Sequence, residues 1–76
     1  MAKVFVGMHA VFSPEGSISP RKMIWPDGRT FDIDRIEDIR PAASLKAGGC
    51  GMRYICSVRG RRLALFLDNN RWFAEV

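Results

Sequence analysis

The sequence predicts an all-β fold, either a small, strongly bent antiparallel sheet or an SH3-like barrel of six or seven short strands. The first observation behind this prediction is the alternation of apolar and polar residues over short runs, which is typical of half-buried strands. The second is that residues favouring tight turns separate those runs. The chain has 76 residues, which is room for one domain only. We therefore interpret residues 1–76 as a single barrel-like domain.

The N-terminal half contains three predicted strands. Residues 3–12 alternate on two partly apolar faces, which indicates a central strand. Residues 18–25 form a weaker strand, because Pro20 lacks an N–H donor and favours an edge or a place outside the ladder. Residues 25–29 (Trp-Pro-Asp-Gly-Arg) are the strongest hairpin signal in the chain, and residues 30–33 resume as a strand.

The middle of the chain allows two interpretations. Isoleucines recur at intervals of three through residues 33–39, a spacing that fits one helical turn or two strand pieces joined by a bulge. We favour the bulged strand, with Asp34 and Asp38 outside, because Pro41 follows closely. Residues 42–51 are small and glycine-rich, which predicts a loop at the tip of a hairpin.

The last third of the chain predicts an up-and-down meander of three strands. Residues 52–58 alternate most clearly, and leucines recur at every second position of residues 63–67. Residues 72–76 complete the pattern. The turns between these strands fall at residues 59–60 and 68–70, because Asn, Asp and Gly tolerate left-handed geometry.

The charge of the chain is uneven. Residues 1–39 carry five basic and six acidic residues, a net −1, whereas residues 40–76 carry seven basic and two acidic residues, a net +5. A basic half favours a polyanionic partner. It is equally consistent with the acidic segment packing beside the basic one, within one chain or between two copies.

The sequence argues against a membrane-spanning protein and against a secreted one. A membrane-spanning helix needs about 20 apolar residues, and the longest apolar runs here are far shorter. The N-terminus lacks the apolar stretch and cleavage site of a signal peptide. We expect a cytoplasmic protein without a membrane partner.

Few residues are candidates for catalysis or metal binding. His9 is the only histidine, so no nucleophile–histidine arrangement can be argued. Cys50 lies in the glycine-rich stretch, where a reactive thiol is conceivable, but only Arg53 and Lys46 are near to lower its pKa. Five residues separate Cys50 from Cys56, which is not the paired spacing of zinc ligands. We expect no enzyme activity, no metal and no cofactor, with Cys56 buried as a small apolar residue.

The outward face of the last three predicted strands is the candidate contact surface. Arginines alternate there with aromatic residues, a combination that single-stranded nucleic-acid binders use to neutralise phosphates and stack on bases. The same rings could instead belong to the core, or form a patch for self-association. The candidate residues are Arg53, Arg59, Arg62, Phe66, Arg71 and Phe73.

The sequence therefore predicts a non-enzymatic binding module. Protein–protein contact or self-association is the first hypothesis, through the edge at residues 18–22 or through Phe66 and Phe73. Acidic residues 32–38 could then meet the basic half of a second copy. Single-stranded nucleic-acid binding is the second hypothesis, and an activity that depends on Cys50 is the third.

Three segments of the chain carry a resemblance. Residues 25–29, the run at residues 42–51 and the ending at residues 70–75 (Asn-Arg-Trp-Phe-Ala-Glu) resemble a group of short uncharacterised bacterial proteins. The resemblance covers most of the chain and implies a bacterial origin and a small β fold. It brings no activity, ligand or site residue with it.

Overall fold

A computed structural model describes residues 3–43 and 50–75 of the chain. These residues form one antiparallel sheet, strongly curled into a half-barrel, with the strand order β3-β2-β1-β7-β6-β5-β4. The all-β prediction of six or seven short strands is therefore confirmed. The strands are β1 (Lys3–Phe12), β2 (Ile18–Ile24), β3 (Thr30–Asp32), β4 (Arg35–Ala43), β5 (Cys50–Val58), β6 (Arg61–Asp68) and β7 (Arg71–Glu75).

The tight turns lie where the sequence predicts them. Gly16 and Gly28 each have a φ of 92°, a conformation that glycine adopts without a steric penalty. The β6–β7 turn uses Asn69 and Asn70, whose φ values are 53° and 63°. Asparagine tolerates left-handed geometry better than most residues, so this hairpin can close with only two residues.

Strand β4 settles the ambiguous middle of the chain. It is a strand with a bulge between Ile36 and Asp38, as the favoured interpretation predicts, and no helical turn is present there. The predicted hairpin-tip loop is shorter than expected, because β4 extends to Ala43 and β5 starts at Cys50. Residues 44–49 of that loop lie outside the described residues.

Gly51 belongs to strand β5 rather than to a loop, and close packing explains why it is glycine. A Cβ atom at this position would lie 2.8 Å from the carbonyl oxygen of Leu67 on the neighbouring strand. Real Cβ atoms do not approach an oxygen so closely, so a larger residue would push β5 and β6 apart. The glycine enrichment of the sequence thus has a packing cause at this position.

Strand β1 is central, as predicted, but its two neighbours pair with different halves of it. Residues Lys3–Val6 pair with β7, and residues Gly7–Phe12 pair with β2. The register with β2 shifts between His9 and Ala10, opposite the buried Pro20. Proline has no backbone N–H, so it could not donate an inter-strand hydrogen bond at this position in any case. This stagger leaves half of β1 without a strand on each side.

The core lies on the concave face of the curled sheet. Alternation along the strands sends every second side chain to that face, and the predicted inward residues of β5, β6 and β7 are found there. Trp25, Phe31 and Trp72 are partly buried against it. The fully buried centre consists of Met23, Tyr54, Cys56, Leu65 and Ala74.

A few hydrogen bonds hold the two ends of the sheet together across the concave face. The hydroxyl of Tyr54 on β5 donates to the carbonyl of Ile18 on β2 at 2.7 Å. Between β3 and β4 the chain crosses from one end of the sheet to the other, with Ile33 N–H donating to Arg21 and Asp34 N–H donating to Ser57. These bonds maintain the curl that the core requires.

Replacing Tyr54 by phenylalanine tests the bond between β5 and β2. The substitution keeps the ring in the core but leaves the Ile18 carbonyl without its donor, so we expect the free energy of unfolding to fall by about 1 kcal/mol. Urea denaturation followed by circular dichroism measures this change. The slope of the unfolding curve should stay constant, and an unchanged midpoint would show that the bond contributes nothing.

The thiol of Cys56 should be chemically inert in the native protein. Burial raises the pKa of this thiol to about 11, and the nearby Glu37 carboxylate acts in the same direction. Relative to a model thiol of pKa 9.0, the thiolate fraction near neutral pH is about 100-fold smaller. In a Cys50→Ser background, iodoacetamide should therefore modify Cys56 at least about 100-fold more slowly in the native state than in urea. Comparable rates in the two states would contradict the buried placement.

Candidate interaction surface

A row of three phenylalanines crosses the convex face of the sheet. Phe5 on β1 lies directly opposite Phe73 on β7, and Phe73 lies opposite Phe66 on β6. The Phe5 and Phe73 rings meet edge to face with centroids 5.6 Å apart, and the Phe66 and Phe73 rings stack at 5.0 Å. We call these three residues the phenyl row. Cross-strand aromatic pairs of this kind stabilise a sheet.

Cationic side chains cover the phenyl row. The Arg71 guanidinium lies 3.8 Å from the centroid of the Phe5 ring, and the Lys3 ammonium lies 4.5 Å from the centroid of Phe73. Beyond Phe66 the row continues with Arg53, which is its cross-strand partner. The sequence prediction that basic and aromatic residues share this face therefore has a geometric basis.

The structure brings some of the predicted contact residues together and separates others. Arg53, Phe66 and Phe73 lie along one row of the convex face. Arg71 is on the same face next to this row, opposite Asp68 on β6. Arg62 is on the same face, and its guanidinium bonds to Glu37 at 3.0 Å.

Arg59 is the predicted contact residue that lies apart from the others. It occupies the β5–β6 turn, where its φ is 53°, and its guanidinium lies 5.5 Å from the centroid of the Phe31 ring. Phe31 packs against the concave core. Placing Arg59 on the basic-aromatic face was wrong, because the turn ends the alternation on which that placement depends.

Phe73 cannot act as a stacking platform. Its side chain is only 9% exposed, because Phe5, Phe66 and Lys3 surround it. It points away from the main core, as the alternation predicts, yet it is sealed within the phenyl row. The ring of this row that is exposed is Phe5, at 43%, which sequence reasoning did not single out.

Strand β1 carries most of the exposed apolar surface. Among the residues that the structure describes, four large apolar side chains are exposed, and three of them belong to β1: Phe12 at 71%, Val11 at 49% and Phe5 at 43%. The fourth is Ile39 on β4. Contiguous exposed apolar surface marks interaction sites more often than isolated apolar residues do.

The backbone at Val11 and Phe12 is also unpaired on one side, unlike that at Phe5. The pairing of β1 with β7 ends at Val6 and Trp72, so within the described residues no strand lies on that side of residues Met8–Phe12. We call this stretch the β1 edge. An open groove of 720 Å³ runs along it, with Trp72, Asn70 and Arg71 on the other wall.

The edge at residues 18–22 that the sequence suggested for contact is largely occupied. The carbonyl of Ile18 accepts from Tyr54, and that of Arg21 accepts from the Ile33 N–H. Lys22 pairs with Asp32 on β3. The free edge is thus on β1, and the signal that could have revealed it is the length of β1, ten residues against five in β7.

The acidic segment is matched to basic residues of the same chain. Arg40 approaches Asp38 at 2.8 Å, and the N–H of Arg59 donates to Asp34 at 2.9 Å. In the β2–β3 turn, the N–H of Arg29 donates to Asp27 and lowers the pKa of that carboxyl. These contacts favour the interpretation in which the acidic segment packs beside basic residues within one chain.

The described residues offer neither a metal-binding cluster nor a membrane-spanning helix. In residues 3–43 and 50–75, no three His, Cys, Asp or Glu side chains cluster closely enough to hold a metal ion. The same residues contain no helix with the length and apolarity needed to cross a membrane. The side chain of Cys50, the candidate reactive thiol, lies outside the described part of the chain.

Comparisons with known proteins add no relative. No protein-family model, no curated protein and no solved structure matches this chain. The resemblance to short bacterial proteins stays a prediction, and the function has to be argued from the surface itself.

Proposed function

We propose that the protein is a non-enzymatic protein-interaction module whose contact surface is the β1 edge with its exposed side chains. The observation that carries this proposal is that two exposed apolar residues, Phe12 and Val11, lie on an unpaired stretch of backbone, with the exposed Phe5 farther along the same strand. Burying such side chains is favourable by about 25 cal/mol per Å² of apolar area. A partner that covers them and pairs with the backbone gains from both.

The phenyl row supports contact with a protein more than contact with bases. Base stacking needs free ring faces, whereas Phe66 and Phe73 stack on each other and cations cover Phe5 and Phe73. The row instead forms a rigid wall next to the β1 edge, because cross-strand packing fixes its rings. A preformed wall lowers the entropic cost of binding.

The size of the domain gives a second reason for an interaction role. A chain of 76 residues buries a smaller share of its surface than a larger domain does. Small domains of this kind are often completed by a partner chain. An exposed apolar strand edge is the part of this fold that gains most from such a partner.

Substituting Phe12 tests the proposed contact surface. Immobilised wild-type protein and a Phe12→Ser variant would be exposed to a cell lysate, with Ile39→Ser as the matched control on the opposite edge of the sheet. We expect proteins retained by the wild type and by the control to be lost with Phe12→Ser, because the serine variant removes the most exposed apolar side chain. Quantitative mass spectrometry measures retention.

One outcome contradicts this function. It is an identical set of retained proteins for all three forms, which would show that Phe12 is outside any contact. Loss of retention supports the function only if the melting temperature of the Phe12→Ser variant is unchanged. A fold check by circular dichroism therefore accompanies the measurement.

Single-stranded nucleic-acid binding is a second candidate, favoured by the guanidinium groups at the two ends of the phenyl row. In the described part of the chain, no carboxylate lies within 4 Å of the Arg53 or Arg71 side chain, unlike Arg40 and Arg62. Free guanidinium groups beside rings suit phosphates.

A salt titration tests the nucleic-acid candidate. Fluorescence titration with mixed-sequence oligonucleotides should show binding at low salt that weakens steeply as salt is added. Arg53→Gln and Arg71→Gln should each reduce the salt slope by about 1, whereas Arg59→Gln in the distant turn should leave the slope unchanged. Absence of binding at low salt removes this candidate.

A further inference from the structure

The β1 edge is open along its length but closed at one end. Because Val6 lies opposite Trp72, continuing the register places Arg71, the first residue of β7, beside Gly7. A strand added along Met8–Phe12 would occupy the same row as β7. It could not run past Arg71 and the Asn69–Asn70 turn without collision. A bound strand must therefore end, or turn sharply, at Arg71.

The charge at the closed end selects the direction of such a strand. A segment that runs antiparallel to β1 arrives at Arg71 with its C-terminal end, and a parallel segment arrives with its N-terminal end. The guanidinium attracts a carboxylate and repels an ammonium group. Among the described residues, no Asp or Glu lines the groove. Asp68 lies opposite Arg71 on β6, but its carboxylate is not within 4 Å of the guanidinium, so Arg71 is not engaged in an ion pair.

Arg71 is already held in a position to bind a carboxylate. Its guanidinium lies over the Phe5 ring at 3.8 Å, while within the described residues no carboxylate oxygen lies within 4 Å of it. A stacked guanidinium keeps its planar fork of N–H donors available for bidentate bonds. The groove continues from this point along the β1 edge.

We propose that the β1 edge binds the extended C-terminal tail of a partner protein, added as an antiparallel strand with its terminal carboxylate on Arg71. This inference rests on the proposed function and names the chemistry of the partner. Main-chain hydrogen bonds to the β1 edge supply affinity, and the carboxylate fixes the register.

The side chains along the edge indicate what the tail must carry. Alternation places Met8, Ala10 and Phe12 on one side of β1. Every second residue of the tail faces this apolar side, while the residues between face His9 and Val11. The tail should therefore be apolar at alternate positions, with β-branched or aromatic residues favoured.

Matched peptides that differ only at the C-terminus test the proposal. The probes are short acetylated peptides of alternating Thr and Val, in both phases, each made as the free acid and as the C-terminal amide. Binding to the full-length protein is followed by fluorescence polarisation. Chemical-shift changes in ¹⁵N spectra locate the site. We expect shifts at the amides of Met8–Phe12 and binding of the acid that is at least about tenfold tighter than that of the amide.

Variants of Arg71 distinguish recognition of the carboxylate from a general loss of peptide binding. Arg71→Gln should abolish the difference between acid and amide, and Arg71→Lys should restore part of it, because lysine keeps the charge but not the fork. Arg53→Gln on the same face is the matched control and should leave the difference intact. The spectra of all variants report whether the fold is preserved.

The outcomes distinguish this inference from the proposed function. Equal binding of acid and amide, absence of shifts at Met8–Phe12, or shifts there produced by oligothymidylate instead of peptide would each overturn the inference. The Phe12→Ser retention experiment is independent of the terminal carboxylate. If retention depends on Phe12 while the peptides show no preference for the acid, the interaction role stands and the tail-binding inference fails.

Discussion

The stagger of β1 between its two neighbours is the constraint on which the rest of this structure depends. Its first four residues pair with β7 and its last six pair with β2. The two neighbouring strands are therefore shifted relative to each other along β1. A sheet curls towards a barrel only if its strands are staggered in this way. The curl brings Tyr54 to Ile18 and encloses the core. The same stagger leaves the β1 edge unpaired within the described residues, so the core and the proposed contact surface have a common origin.

Much of the fold follows from local sequence, because strand alternation and turn chemistry act over a few residues. Cys56 and Leu65 are buried, as the alternation of side chains along a strand requires. The Asn69–Asn70 turn forms because asparagine tolerates left-handed geometry. Register is different, since it depends on which distant residues pair. Alternation placed Phe73 on the outer face correctly, but it could not show that Phe5 and Phe66 would seal it. The β1 edge could not be predicted for the same reason, because it depends on where the pairing of β1 with β7 ends.

The phenyl row shows how the convex side of a thin sheet is stabilised without a second layer. Phe73 is buried although it faces away from the core, because a ring on each neighbouring strand and the Lys3 side chain cover it. The contact of Arg71 with the exposed Phe5 ring contributes about 0.5–1 kcal/mol. This arrangement uses the ring faces for stability, which makes them unavailable to bases. Arg71 itself stays exposed above the Phe5 ring.

Among the described residues, the open edges of β3 and β4 differ from the β1 edge in a way that supports the proposed contact at β1. Proteins protect exposed strand edges with short strands, charges, proline or bulges, because an unprotected edge pairs with other chains. Strand β3 is three residues long, and β4 carries a bulge, Pro41 and a series of charged residues. The β1 edge has none of these on its open side and presents Val11 and Phe12 to solvent instead. Because β3 and β4 are protected in these ways, the open apolar β1 edge is the part of the fold that supports the proposed contact with a partner.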